Sequence, residues 1–135
     1  MRIIALLILS STIILASTYT KADRIKDMQI MEKAMSTIST GILYNNPDIV
    51  KEGAISLSDA IRRVKPPIEV ETEKDPMARY MNNRVTFSYK IVRNIDKKVK
   101  TILERFKAGD SRAASQAHAK IMKQCIQCHY EVLDW

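Results

Sequence analysis

Four stretches of this sequence carry apolar residues at spacings of three and four, and residues that stop or start helices lie between them. Such spacing places apolar side chains along one side of an α-helix. No segment alternates between apolar and polar residues over a useful length, as a half-buried strand does. Only three glycines and four prolines interrupt the 135 residues, which favours few, long elements. The sequence therefore predicts an all-α fold.

The helix boundaries follow from local capping signals. Asparagine or aspartate followed by proline is a typical helix start, and this pair occurs at 46–47 and again at 75–76. Gly109 and Asp110 mark another break. The predicted helices are 23–44, 46–65, 75–107 and 110–133. Four amphipathic helices with short links most simply form an antiparallel four-helix bundle. A long coiled coil is the alternative, and the prolines disfavour it.

The first 22 residues have the composition of a secretory signal peptide. Arg2 precedes an apolar run from Ile3 to Leu15, and small and polar residues follow. We predict cleavage after Ala22, with Ala16 as the alternative site. A retained membrane anchor is the rival interpretation, but the run is shorter than the roughly 20 apolar residues that a span needs. We therefore expect a signal peptide over 1–22, one domain over 23–135, and a periplasmic protein.

The charge of the predicted mature domain is moderately basic. Removal of Arg2 and Lys21 leaves 20 basic residues against 15 acidic ones, a net charge of +5. No cluster of lysine and arginine interleaved with aromatic residues suggests a nucleic-acid surface. We therefore expect no nucleic-acid partner.

The C-terminal stretch KQCIQCHYEVLDW contains both cysteines of the chain and one of its two histidines. In a helix Cys125 and His129 stack on one face, and Cys128 is adjacent. The C-x-x-C-H pattern is the attachment signature of c-type haem. Two thiols form thioether bonds with the haem vinyl groups, and the neighbouring imidazole binds the iron. The sequence predicts one covalent haem c held by Cys125, Cys128 and His129.

Three other interpretations of the motif are weaker. A disulfide across a two-residue gap in a helix would be strained and close a very small loop. A zinc site needs a fourth ligand, and His118 lies about 10 Å further along the same face. We therefore do not assign His118 as a ligand. A thioredoxin-like pair normally follows a strand, and none is predicted.

The motif CIQCH near the end, together with DMQIMEKAM in the first predicted helix, resembles the cytochrome c′ family, including its low-spin, methionine-ligated members. The resemblance covers the whole mature chain and implies an antiparallel four-helix bundle with haem between the helices. From the same resemblance we expect a homodimer that forms through the first two helices. The chain departs from the family at Val132 and Leu133, where relatives carry an aromatic and then a basic residue.

The identity of the ligand at the sixth coordination position of the haem iron decides the function. The first helix offers Met28, Met31 and Met35, and the resemblance implies Met31 as the distal ligand. Methionines at helical spacing also commonly fill the core of a protein. At least two of these three methionines must have that role, because only one can bind the iron. A His/Met pair suits electron transfer. With no methionine bound, the iron would be five-coordinate.

We therefore expect a periplasmic monohaem cytochrome that carries electrons to and from other redox proteins in transient complexes, and that is not an enzyme. Its iron would be bound by His129 and Met31. The alternative is a five-coordinate haem protein that binds nitric oxide or carbon monoxide. A third hypothesis is a helical interaction protein whose cysteines bind zinc.

Overall fold

The structure is a computed structural model that describes residues 19–65, 75–76 and 83–132. These residues form four helices and no strand, which confirms the predicted all-α class. The helices are α1 (Lys21–Leu43), α2 (Pro47–Arg63), α3 (Asn83–Lys107) and α4 (Ser111–Val132). Most of the predicted leader, residues 1–18, lies outside the described part, as does Leu133. None of the described helices is both long and apolar enough to span a membrane.

The predicted caps of α2 and α4 are confirmed. The Asn46 side-chain oxygen accepts the backbone N–H groups of Asp48 and Ile49 at 3.0 and 3.2 Å. At the start of α4, the Asp110 carboxylate accepts the N–H of Ala113 at 3.0 Å. Gly109 has a φ of 77°, the left-handed conformation that commonly ends a helix. These local signals fix where the helices begin and end.

Contacts between the helices give their directions. Near one end, Arg24 of α1 donates to the carbonyl of Lys65, just after α2, at 3.5 Å. The Asn94 side-chain amide of α3 donates to the Gln124 side-chain oxygen of α4, with 3.5 Å between Nδ2 and Oε1. Helix α1 packs on α2, α2 on α3, α3 on α4, and α4 on α1. The four helices therefore form an up-down-up-down bundle.

The buried core draws apolar residues from all four helices. Ile38, Leu57, Ile95 and Ile121 contribute side chains with almost no exposed surface. Ile25 is three residues before Met28 in α1, a spacing typical of the buried side, but it is 51% exposed. Its neighbour on the other side of the helix, Asp27, is buried instead.

Helices α1 and α2 approach each other closely at Gly53. A methyl group at this position would lie 2.8 Å from Ile38 Cγ1 and 2.9 Å from the carbonyl oxygen of Ala34. Both distances are shorter than carbon contacts allow, and one of the atoms belongs to the backbone. Gly53 is therefore required by the spacing of α1 and α2.

Candidate functional site

A cavity of about 490 Å³ lies within the bundle at the end where α1 and α3 begin and where α2 and α4 end. Methionine, isoleucine and valine side chains from the helices form most of its wall. Its volume falls in the range of roughly 300–1,000 Å³ that is typical of small-molecule and cofactor sites. The cavity is partly open to solvent, so a ligand could keep one edge exposed.

The three residues of the C-x-x-C-H motif all line this cavity. Cys125, Cys128 and His129 are half-buried on the inner side of α4, where helical spacing was expected to bring them together. The two cysteines form no disulfide in the structure. The motif therefore faces an apolar space and not bulk solvent.

Burial sets the protonation of these groups. Burial, together with the nearby Cys128, raises the pKa of Cys125 to about 11, and burial also raises the pKa of Cys128. Burial lowers the pKa of His129, so its imidazole is neutral at neutral pH. Reactive redox cysteines have lowered pKa values and are thiolates at neutral pH. The pair here has the opposite character, whereas a neutral imidazole is the form that binds metals.

Across the cavity, α1 contributes all three candidate methionines. Met31 and Met35 are buried, with 6% and 4% of their surface exposed, and belong to the core. Met28 is partly buried and packs against that core from the cavity side. All three methionines of α1 that the sequence offers as iron ligands therefore line the cavity.

His118 also lines the cavity and fixes the register of α4 against α1. Its Nε2 atom lies 3.0 Å from the backbone oxygen of Met35. From this contact the helices run in opposite directions, so His129 is about three turns of α4 nearer the open end. On α1, Met28 is about two turns and Met31 about one turn from Met35 in the same direction. Met28 is therefore nearer than Met31 to the level of His129.

The tilt of the side chains affects the difference in height between Met28 and His129 along the bundle. Side chains point toward the N-terminus of their own helix. Because α1 and α4 are antiparallel, this tilt moves the Met28 thioether toward the open end and the His129 ring away from it. The tilt of Met28 therefore brings its thioether closer to the level of His129.

Two cationic residues that sequence reasoning did not select also line the cavity. Arg24 of α1 and Lys65 after α2 lie together at the open end. The sequence carries many similar surface charges, so only the packing of α1 on α2 identifies this pair. Positive groups beside an apolar cavity suit a ligand with an apolar body and carboxylate groups.

Within the described ranges, no three side chains of histidine, cysteine, aspartate or glutamate are arranged to hold a metal ion. A structural zinc site draws on four such ligands. The zinc hypothesis therefore finds no ligand set among these residues. A haem iron makes a smaller demand on the chain, because the porphyrin supplies four of its ligands.

Comparison of the chain with known protein families, curated proteins and solved structures found no match of any of the three kinds. A functional conclusion therefore depends on the chemistry of the cavity.

Proposed function

We propose that this protein is an exported monohaem c-type cytochrome, similar to the cytochrome c′ family, that transfers electrons and performs no reaction on a substrate. The observation that carries the proposal is the shared cavity. Cys125, Cys128 and His129 line one wall, and a row of methionines lines the wall opposite. A haem needs this combination of two thiols, one imidazole and a large apolar space.

The residues of the cavity fit the group that the motif implies. Cys125 and Cys128 would each form a thioether, which removes the buried thiols from acid–base chemistry altogether. His129 would bind the iron through Nε2, and the apolar walls would exclude water. When bound, the haem supplies a one-electron couple, and apolar surroundings favour its less charged, reduced form.

A methionine of α1 is proposed as the second axial ligand. The resemblance to the cytochrome c′ family implies Met31 for this role, whereas the register of α1 and α4 favours Met28. A methionine that binds the same iron as His129 would have to reach the level of His129 in the bundle. Met28 meets this condition better, because it is one turn closer to the level of His129.

Arg24 and Lys65 are proposed to bind the haem propionates. Both residues line the cavity at its open end, where an acidic group could remain hydrated. The pair would compensate the two negative charges of the propionates. Electron partners would meet the haem edge that is exposed there, in transient complexes.

The second candidate function is the binding of nitric oxide or carbon monoxide. It is supported by the character of the α1 wall near His129, where Met28 is uncharged and apolar. If its thioether did not bind the iron, the same wall would offer an apolar pocket for a small gas molecule. This candidate differs from the first only in the sixth ligand.

Absorption spectra of the oxidised and reduced protein, with and without carbon monoxide, test the proposal. Electron transfer through a His/Met haem predicts low-spin spectra and resistance to carbon monoxide. We expect Met28→Leu to convert the spectrum to high-spin and to open the reduced iron to carbon monoxide. Met31→Leu is the matched control and should leave the spectrum unchanged.

A high-spin spectrum for Met31→Leu and an unchanged spectrum for Met28→Leu would instead assign Met31 as the ligand. Rapid carbon monoxide binding by the unmodified protein would favour the gas-binding candidate. A purified exported protein without any haem absorption would contradict both.

A further inference from the structure

Thr20 is tied into the first turn of α1. Its hydroxyl oxygen accepts the backbone N–H of Asp23 at 3.2 Å, and the Asp23 carboxylate accepts the N–H of Thr20 at 2.8 Å. This reciprocal pair is a capping box, which satisfies N–H groups that have no partner within the helix. The helix begins at Lys21, two residues earlier than the sequence predicts. Thr20 is therefore the N-cap of α1 and part of the folded domain.

Tyr19 binds a buried carboxylate in α1. Its hydroxyl donates to Asp27 Oδ2 at 3.0 Å, while Arg63 of α2 donates to Oδ1 from Nε and Nη2 at 2.9 and 2.8 Å. Only 7% of the Asp27 side chain is exposed. A buried carboxylate is costly unless its oxygens have hydrogen-bond donors. Tyr19 thus supplies a donor on one side of Asp27, and Arg63 supplies donors on the other.

A cut after Ala22, the site predicted from the sequence, would break these contacts. A cut after Ala22 would remove Tyr19, Thr20 and the first two residues of α1. Asp27 would lose the hydrogen bond to its Oδ2 atom, and α1 would lose its cap. The new α-ammonium group at Asp23 would also lie at the positive end of the helix dipole, where a positive charge is unfavourable.

We propose that the leader is removed before Tyr19, most simply after Ala16, so that the mature protein keeps Tyr19 and Thr20. Ala16 is the small residue that directly follows the apolar run. Hydrolysis of the Ala16–Ser17 peptide bond adds one water, which leaves a carboxylate on the leader and an amino group on Ser17. The inference rests on export, which belongs to the proposed function, but not on the haem.

The direct test is the intact mass of the full chain after expression in a bacterium that exports and matures c-type cytochromes. We expect a mature protein that begins at Ser17, and a start at Thr18 or Tyr19 would also support a cut before Tyr19. A protein that begins at Asp23 and carries haem would overturn this inference and leave the proposed function intact. An uncut chain without haem would overturn both.

Matched substitutions identify the processed bond. Ala16→Phe places a large side chain at the proposed site and should prevent or slow cleavage there. Ala22→Phe is the control, because Ala22 is exposed and should tolerate the change without any effect on processing. The opposite pattern would assign the cut to Ala22 and contradict the proposal.

The stability of two defined mature forms provides a second test, independent of the peptidase. Placed behind a foreign leader, the form that starts at Ser17 should unfold at a higher temperature than the form that starts at Asp23. The expected difference in Tm is on the order of 10 °C for a domain of this size.

Tyr19→Phe in the longer form should lower the Tm by a smaller amount. Tyr44→Phe, at a residue that is 75% exposed, should not change it. Equal Tm values for the two mature forms would show that Tyr19 and Thr20 do not belong to the stable domain.

Discussion

Loss of covalent haem attachment is the most revealing perturbation, because the cavity would then lack the group proposed to fill it. Changing Cys125 and Cys128 to alanine would remove both proposed thioether anchors while leaving the rest of the chain intact. Cavities in protein cores cost roughly 24 cal/mol per Å³, so a space of about 490 Å³ corresponds to at most about 12 kcal/mol. That upper limit is comparable with the whole stability of a typical domain, about 5–15 kcal/mol. We therefore expect the double variant to lose its fixed packing around the site.

Calorimetry and near-ultraviolet circular dichroism measure this effect. The haem-loaded protein should unfold in one cooperative transition. The double variant should keep much of its helical signal but show weak near-ultraviolet signals, a broad transition and binding of hydrophobic dyes, as a molten globule does. Tyr44→Ser, at an exposed position, is a control that should behave like the unmodified protein. Cooperative unfolding of the haem-free variant at the temperature of the loaded protein would refute the reasoning.

Two further predictions concern the bundle itself. Gly53→Ala should lower stability by about 1–3 kcal/mol, because the added methyl group meets Ile38 and the α1 backbone; an unchanged urea midpoint would contradict this. The hydrogen bond that Ser58 donates lowers the pKa of Asp96 below its usual value despite partial burial, and the nearby Arg62 guanidinium lowers it further. Asp96 therefore stabilises the fold above its unfolded-state pKa, and this stabilisation is lost as the pH falls through its lower folded-state pKa. Asp96→Asn should show a smaller decrease in Tm between about pH 5 and about pH 2 than the unmodified protein, and identical pH profiles would disprove the role.

Much of the fold could be predicted because its signals are local. Asn46 and Pro47 specify the start of α2 through their own backbone preferences, and apolar spacing of three and four specifies which side of each helix is buried. The grouping of Cys125, Cys128 and His129 is equally local, because residues three and four apart always share a helix face. These predictions required no knowledge of the other helices.

The rest depends on distant partners that no local pattern encodes. Asp27 looks like a surface residue in the sequence, and it is buried because Arg63 and Tyr19 bind it from outside its own helical turn. The choice between Met28 and Met31 depends on the register of α1 against α4, which the contact between His118 and Met35 sets. Helical periodicity places both methionines on the same face and cannot distinguish them.

The most direct test of the central claim is the intact mass of the exported protein under denaturing conditions, after extraction with acidified acetone. Our account predicts a mass equal to that of the mature polypeptide plus one haem, and a red colour that the extraction does not remove. Cys125→Ala together with Cys128→Ala should abolish both. A mature protein with the mass of the bare polypeptide would contradict the assignment of Cys125, Cys128 and His129 as a haem site.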